Sequence, residues 1–470
     1  MSDAAAAYIA EAVKPACSDA DKWATSELGQ VATFRRGVSY DSSTLAESPA
    51  GARAYLNMKS FLKNGGYNYS GLKYFSGNVS ADDLLDGNCV LIANTDVTRE
   101  GDIIGAPITL PLALAGLEVV CSHHVTALRL QPQCDAQFIF YLLCLPRYRA
   151  VMRQHARGTT VLMLDPRSIE HIQFEHPESV AEQKKVAEVL DTLDTTIRQV
   201  KAIIAKLKQV KQGLLHDLLT RGIGANGELR PPRSEAPQLY KPSSLGWIPK
   251  EWDAHQLRDL ATLITSGSRG WAAHYVDAGA LFVRSQNVRM GFLDFSDRQH
   301  VAPPPGSEGQ RTRLEGCDLL ITITGNSVGN VAHVSENWQE IAFVSQHVGL
   351  VRLRDPSLSL LAAHYLVQGA PGNQQLIDAQ YGQSKPGLNL ENLRDLRVPC
   401  PSTEERTAVV ERIASVDMRI ETEERYLSKL SEFKQGLMDD LLTGRVRVTP
   451  LLEATATPMA QMAVFRGGKP

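Results

Sequence analysis

At 470 residues the chain exceeds one ordinary core and divides into two or more domains. With 43% hydrophobic and 21% charged residues it reads as soluble and globular, and a net charge of −3 excludes a surface coated in basic residues while leaving room for a local basic face. The alanine-rich, acidic start lacks a secretory signal, no apolar run reaches the length of about 18 residues that a membrane span needs, and the seven cysteines form no CxxC pair. Structural zinc and a disulfide framework are therefore not expected, and the cytoplasm is the natural compartment.

In chain order, residues 1–20 read as an extension. A first globular part, 21–177, mixes β-rich runs such as CVLIA (89–93) and HHVTALRL (123–130) with modest helices in AQFIFYLLCLPRYRAVMRQ (136–154). From 178 to 220 the pattern turns helical. Leu190, Leu193, Ile197, Val200, Ile204, Leu207, Leu214 and Leu218 recur in steps of three and four, broken only at Lys211. A helix from Glu182 to Leu219 spans roughly 57 Å, long for one compact domain. Residues 221–250 are rich in Pro and Gly and read as a linker. A second globular part, 251–400, offers DLLITIT (318–324) and HVGLVRLR (347–354). A second helical block, 401–444, places Ile413, Val416, Ile420, Leu427, Leu430, Leu437 and Leu441 on one seam, with Glu423 and Lys434 as breaks. The tail is 445–470; after about Val448 it has no pattern and is expected to be mobile.

The two halves repeat each other. KQGLLHDLLT (211–220) returns as KQGLMDDLLT (434–443), with Glu182 meeting Glu405 and Asp194 meeting Asp417 at the same offset. Trp23 aligns with Trp252, LLDGNCVLIANT (84–95) with RLEGCDLLITIT (313–324), and VVCSHHVTALRL (119–130) with AFVSQHVGLVRL (342–353). Similarity fades between these anchors. Two matching seams in one chain most simply pack on each other as a coiled coil; the alternative is an ordinary amphipathic helix on each domain. Gly213 and Gly436 each cost a helix about 1 kcal/mol against Ala. Their matched placement suggests a close backbone approach, between the helices or to a partner. His123, His124 and His347 are expected in strands, packing or hydrogen-bonding rather than binding metal.

These motifs carry a resemblance. The repeated KQGLLHDLLTRG and KQGLMDDLLTG, the helix starts PESVAEQKKVAEVLDTLDTTI and PSTEERTAVVERIASVDMRI, and LGWIPKEWDAHQLRDLA at the opening of the second domain together resemble the specificity (S) subunit of type I restriction–modification enzymes. The likeness runs from about 20 to 448; the second helix start has Glu405-Arg406 where the first has Glu182-Gln183. It implies an α+β fold in which two target-recognition domains (21–177 and 251–400) are joined by two conserved helices that form an antiparallel intramolecular coiled coil, a pseudo-twofold tandem duplication. Each domain would read half of a split double-stranded DNA target, with half-sites roughly 10 bp apart centre to centre. Two adenine-N6 methylation subunits would bind the helical regions, with restriction subunits as possible further partners. S-adenosylmethionine, ATP and Mg belong to those partners, and this chain is expected to hold no cofactor and no metal.

Residue chemistry supplies candidates for DNA contact, because Arg and Lys suit guanine while Asn and Gln suit adenine. In the first domain they are Arg35, Arg36, Asn57, Lys59, Lys63, Asn64, Tyr67, Lys73, Arg157 and Thr159. In the second they are Arg269, Arg284, Gln286, Asn287, Arg289, Gln383, Ser384 and Lys385. Candidates for partner docking are Lys211, Gln212, Gly213, Leu214 and Leu218, matched by Lys434, Gln435, Gly436, Leu437 and Leu441. APPPGSEG and RPPRSEA lack the lead residue and aromatic of an adenine-methyltransferase motif, and TGNSVGN lacks the Lys-Ser/Thr of a phosphate-binding loop. The chain is thus expected to address DNA rather than catalyse. A stand-alone bipartite DNA-binding protein and a coiled-coil assembly protein remain the alternatives.

Overall fold

The apolar runs CVLIA and DLLIT become buried strands of two sheets built to one plan. The computed structural model describes residues 14–15, 23–46, 48–98, 100–267, 269–304, 307–382 and 386–456. The chain folds as two compact units, Met1–Val200 with Tyr426–Pro470, and Lys201–Arg425.

In the first unit, an antiparallel sheet runs in the order Ala32–Arg36, Val125–Leu130, Cys89–Ala93, Pro107–Thr109. In the second, Ala261–Ser266, Val348–Leu353, Leu319–Thr322 and Val331–His333 follow the same order. A second sheet in each unit begins with a parallel pair, Val119–Cys121 beside Arg53–Leu56 and Ala342–Val344 beside Ala280–Val283. A two-strand ribbon in each carries the chain from the globular part into a long helix: Trp23–Glu27 with Gln173–Pro177, and Asp253–Gln256 with Arg397–Cys400. The aligned sequence anchors are therefore matching strands. Central strands buried on both faces explain why these runs are continuously apolar rather than alternating.

The long helices are Val180–Thr220 and Thr403–Leu441, and each contributes to both units. The seam residues Leu190, Leu193, Ile197, Val200, Ile204 and Leu218 are buried, as are Ile413, Ile420, Leu430, Leu437 and Leu441. Each helix is followed by a left-handed glycine, Gly222 (φ 65°) and Gly444 (φ 72°), a conformation that ends helices at little cost only without a Cβ. A Cβ on Gly222 would lie 2.3 Å from the Trp252 ring, and one on Gly444 2.9 Å from the Trp23 ring. The aligned tryptophans thus serve one purpose, closing the end of a long helix against the first strand of a domain.

Four expectations are corrected. Residues 221–250 are not a bare linker: Tyr240–Ser243 pairs with Gly246–Pro249, and Ile223, Arg230, Tyr240 and Ile248 are buried. The tail begins ordered, with Val446–Arg447 paired to Lys14–Pro15 and a helix over Thr449–Ala456 that buries Leu451; its remainder lies outside the described residues. His123, His124 and His347 occupy tight turns between strands, not the strands themselves. Finally, a Cβ on Gly213 or Gly436 would meet nothing within 4 Å, so neither glycine marks a close approach inside the chain.

Candidate nucleic-acid interface and helix-end clamps

In the first unit the strand Arg53–Leu56 runs into a short turn, Met58–Ser60. Asn57 builds that turn: its side-chain oxygen accepts from the Lys59 amide at 2.8 Å and its amide donates to the Gly71 carbonyl at 3.1 Å. The Thr95 hydroxyl lies 3.3 Å from the Met58 sulfur and brings in the loop that follows the buried strand Cys89–Ala93. Thr95–Asp96 pairs in turn with Leu162–Leu164, and that strand with Ala156–Arg157. Two candidate segments distant in sequence, 57–75 and 156–161, are therefore gathered by a third, the described residues 94–98 and 100–105, that sequence reasoning missed. Its signal was there in Gly101 and Gly105, both at positive φ, which follow a buried Asp96 that accepts from the Thr98 and Ile103 amides.

The second unit repeats the construction with other residues. The turn Ser285–Asn287 follows Ala280–Val283. The loop after Leu319–Thr322 is tied to that turn by Ser327, whose hydroxyl donates to the Ser285 carbonyl at 3.4 Å, and by Asn330, which donates to Val288 at 3.0 Å. Thr324 bridges to Gly387 and sits 2.5 Å from the His347 ring nitrogen. Again three segments converge: 284–291, 323–330, and the described residues 380–382 and 386–388.

Placement divides the candidates. Lys59, Asn64, Lys73, Arg157, Thr159, Arg269, Gln286 and Arg289 are exposed. Lys63 is exposed and pairs with Asp102 at 2.5 Å. Arg35 is held by Asp83 at 2.7 Å, which together with the Ser80 bonds keeps that carboxyl down at about 2, and Arg36 donates to the His123 carbonyl at 2.5 Å. The Tyr67 ring packs edge-on against Tyr69, and burial raises its hydroxyl pKa. Asn287 is 2% exposed and fully engaged, accepting from the Arg284 amide and donating to the Asp294 and Asp297 carbonyls. Arg284 pairs with Asp297 at 2.9 Å. Asn57, Asn287 and Arg284 therefore shape their turns, leaving outward contact to the exposed side chains. Gln383, Ser384 and Lys385 lie outside the described residues.

On the helices the seam breaks become intelligible. Within the first unit Lys434 reaches Asp194 at 2.6 Å; within the second Lys211 reaches Asp417 at 2.5 Å. These are equivalent pairs, since Asp194 aligns with Asp417 and Lys211 with Lys434. Tyr141 lines the first pair, with its hydroxyl 2.7 Å from Asp191 and 2.8 Å from Asp194. Leu218, Leu437 and Leu441 turn inward and Leu214 is half-buried, so four of the expected docking residues support the core, while Gln212, Gly213, Gln435 and Gly436 are exposed.

The helix starts are clamped in matching fashion. Glu182 is 3% exposed and receives two bonds of 2.6 Å from Arg447. Glu405 receives Arg230 through both carboxylate oxygens, one at 2.9 Å, and also the Ile223 amide at 2.8 Å. A bidentate guanidinium–carboxylate fork is among the stronger protein hydrogen-bond geometries.

The fold and site define a protein of mixed helix and sheet whose two units share one sheet order and each present their own set of polar loops. Residues 20–209 match the type I restriction modification DNA specificity domain. The chain is 23% identical over 319 residues to the type I restriction enzyme MjaVIII specificity subunit of Methanocaldococcus jannaschii, covering 67% of this chain and 72% of that one. It is 21% identical over 436 residues to the EcoBI specificity subunit of Escherichia coli, covering 91% and 86%. Its fold resembles the type I S subunit from M. genitalium with a TM-score of 0.52 at 16% identity, covering 91% of this chain and 99% of that one. Residues 20–209 thus carry a type I restriction modification DNA specificity domain, the chain is similar to type I specificity subunits over two thirds or more of its length, and its function is DNA target recognition. Among the described residues no helix is long and apolar enough to cross a membrane.

Proposed function

We propose that this chain reads a bipartite double-stranded DNA target with two different half-sequences, one per three-loop cluster, and is itself non-catalytic. The observation that carries the reading is the same loop construction made twice with unlike exposed residues: Lys59, Lys63, Asn64 and Arg157 in one unit, Gln286 and Arg289 in the other. Identical frames with different polar side chains are what two different base sequences require, because sequence is read at base edges. The two long helices act as an antiparallel coiled coil, a reading supported by the reciprocal Asp194–Lys434 and Lys211–Asp417 pairs within the units. Two adenine-N6 methylation subunits dock on the exposed Gln212-Gly213 and Gln435-Gly436 steps, and restriction subunits join that assembly. S-adenosylmethionine, ATP and Mg act in those partners, in the cytoplasm.

The test is selection from a pool of random duplexes by the chain assembled with its methylation subunits. The expected product is two unlike half-sequences around an unread spacer. One contiguous motif, or a palindrome, would contradict the proposal.

A further inference from the structure

Beneath the first loop cluster lies a guanidinium without an acid partner. Arg149, on the helix Pro146–His155, is 3% exposed. Its Nη2 donates to the carbonyls of Lys63 at 3.2 Å and Asp102 at 3.0 Å, and its Nη1 donates to the Ile104 carbonyl. It forms no ion pair among the described residues. Burial pushes its pKa down to about 10, which leaves it charged at neutral pH. A buried cation is expensive unless its donors are satisfied; here Nη1 and Nη2 find backbone carbonyls of two irregular segments, while the buried Nε has no hydrogen-bond partner among the described residues.

Those segments are 62–66 and 101–105. Both are bent by left-handed glycines, Gly65 and Gly66 in one and Gly101 and Gly105 in the other. Outside, Lys63 and Asp102 also join them, but the Lys63 side chain is 72% exposed and such a pair holds little. The internal connection is the Arg149 fork, whose fixed planar geometry can reach carbonyls of two segments at once where an ammonium acts as a point charge. Among the described residues the second unit shows no such fork: its middle loop is tied by Ser327 and Asn330, and the helix that follows Ser359–Leu366, Asn373–Asp378, carries no arginine.

We infer that Arg149 is a positioning residue for the first half-site: it locks the loop bearing Lys63 and Asn64 to the loop bearing Val97 and Asp102, so that both meet DNA as one rigid element. The inference rests on the DNA reading proposed above. Arg149 itself touches no base; it acts through the loops, and on one half of the target only.

The experiment pairs two measurements on R149Q and R149K in the chain assembled with its methylation subunits. Hydrogen exchange without DNA reads the loops directly. Competition between selected duplexes altered in the first or the second half-site reads discrimination. Faster exchange confined to 62–66 and 101–106, with first-half discrimination reduced by roughly tenfold and second-half discrimination retained, is the expected result. Unchanged exchange in those loops overturns the positioning role and leaves the DNA-reading surface standing. Loosened loops with discrimination intact at both halves overturns the surface, and the inference with it. If R149Q does not fold, R149K keeps the charge while losing the fork and gives both readouts. Equal loss at both half-sites with general loosening assigns Arg149 to stability alone and also overturns the inference.

Discussion

Replacing Glu405 with Ala removes the acceptor at the centre of the second helix start. Glu405 and Arg230 side chains are each 9% exposed, so the pair is not a surface ion pair. The substitution deletes two charge-assisted bonds from Arg230 and one from the Ile223 amide. Each is worth about 1.5–3 kcal/mol when one partner is charged. Arg230 keeps the Arg221 carbonyl at 3.0 Å and a distant Glu251 at 3.6 Å, which offset part of the loss. The net cost is about 3–4 kcal/mol, within the range for breaking a buried pair. Urea unfolding followed through the buried Trp252, beside Gly222 at the same junction, reads this as a lower midpoint at constant slope. R230M alone costs a similar amount, because it strands the carboxylate. The E405A/R230M double variant recovers most of the loss, since no buried charge is left unpaired. A single-variant cost below about 1 kcal/mol, or a double-variant cost equal to the sum, would refute this account of the clamp.

G213A adds a Cβ into open space in a helix interior, so it stabilises by up to about 1 kcal/mol; measured binding of the methylation subunit should weaken at the same time, and unchanged binding would remove Gly213 from the docking face. His364 is held down to about 4 by burial and by Lys211, opposed by Asp417. The unfolded chain therefore binds this proton first on acidification, and stability falls between about pH 6.5 and pH 4, by roughly 2–3 kcal/mol; H364N should flatten that part of a pH–stability curve. K59A should weaken binding to duplexes carrying the first half-site and leave discrimination at the second intact; equal loss at both would point to unfolding instead.

The helices and the repeat were legible in the sequence because a seam of period 3.5 and a repeated decamer are local signals. The breaks at Lys211 and Lys434 were legible only as breaks, because their partners Asp417 and Asp194 lie on the other helix, and one helix alone does not encode which residues face it. The segment 221–250 misled by composition: its Pro and Gly residues say loop, whereas Arg230 is fixed by a long-range bond to Glu405 and Tyr240 by one to the Pro231 carbonyl. Among the candidate DNA contacts, residue type could not separate reading from holding. Asn287 has the amide that suits adenine, and that amide is spent on two backbone carbonyls. The middle loops, 94–105 and 323–330, were overlooked because few of their residues advertise nucleic-acid chemistry; they matter by gathering the others.

The most direct test of the central claim is a single-molecule methylome of cells expressing this chain with its methylation subunit. The account predicts N6-methyladenine in a split motif of two unlike halves, present with the chain and lost when it is deleted. A motif that persists without the chain, or no split motif while the chain is expressed and assembled, would contradict it.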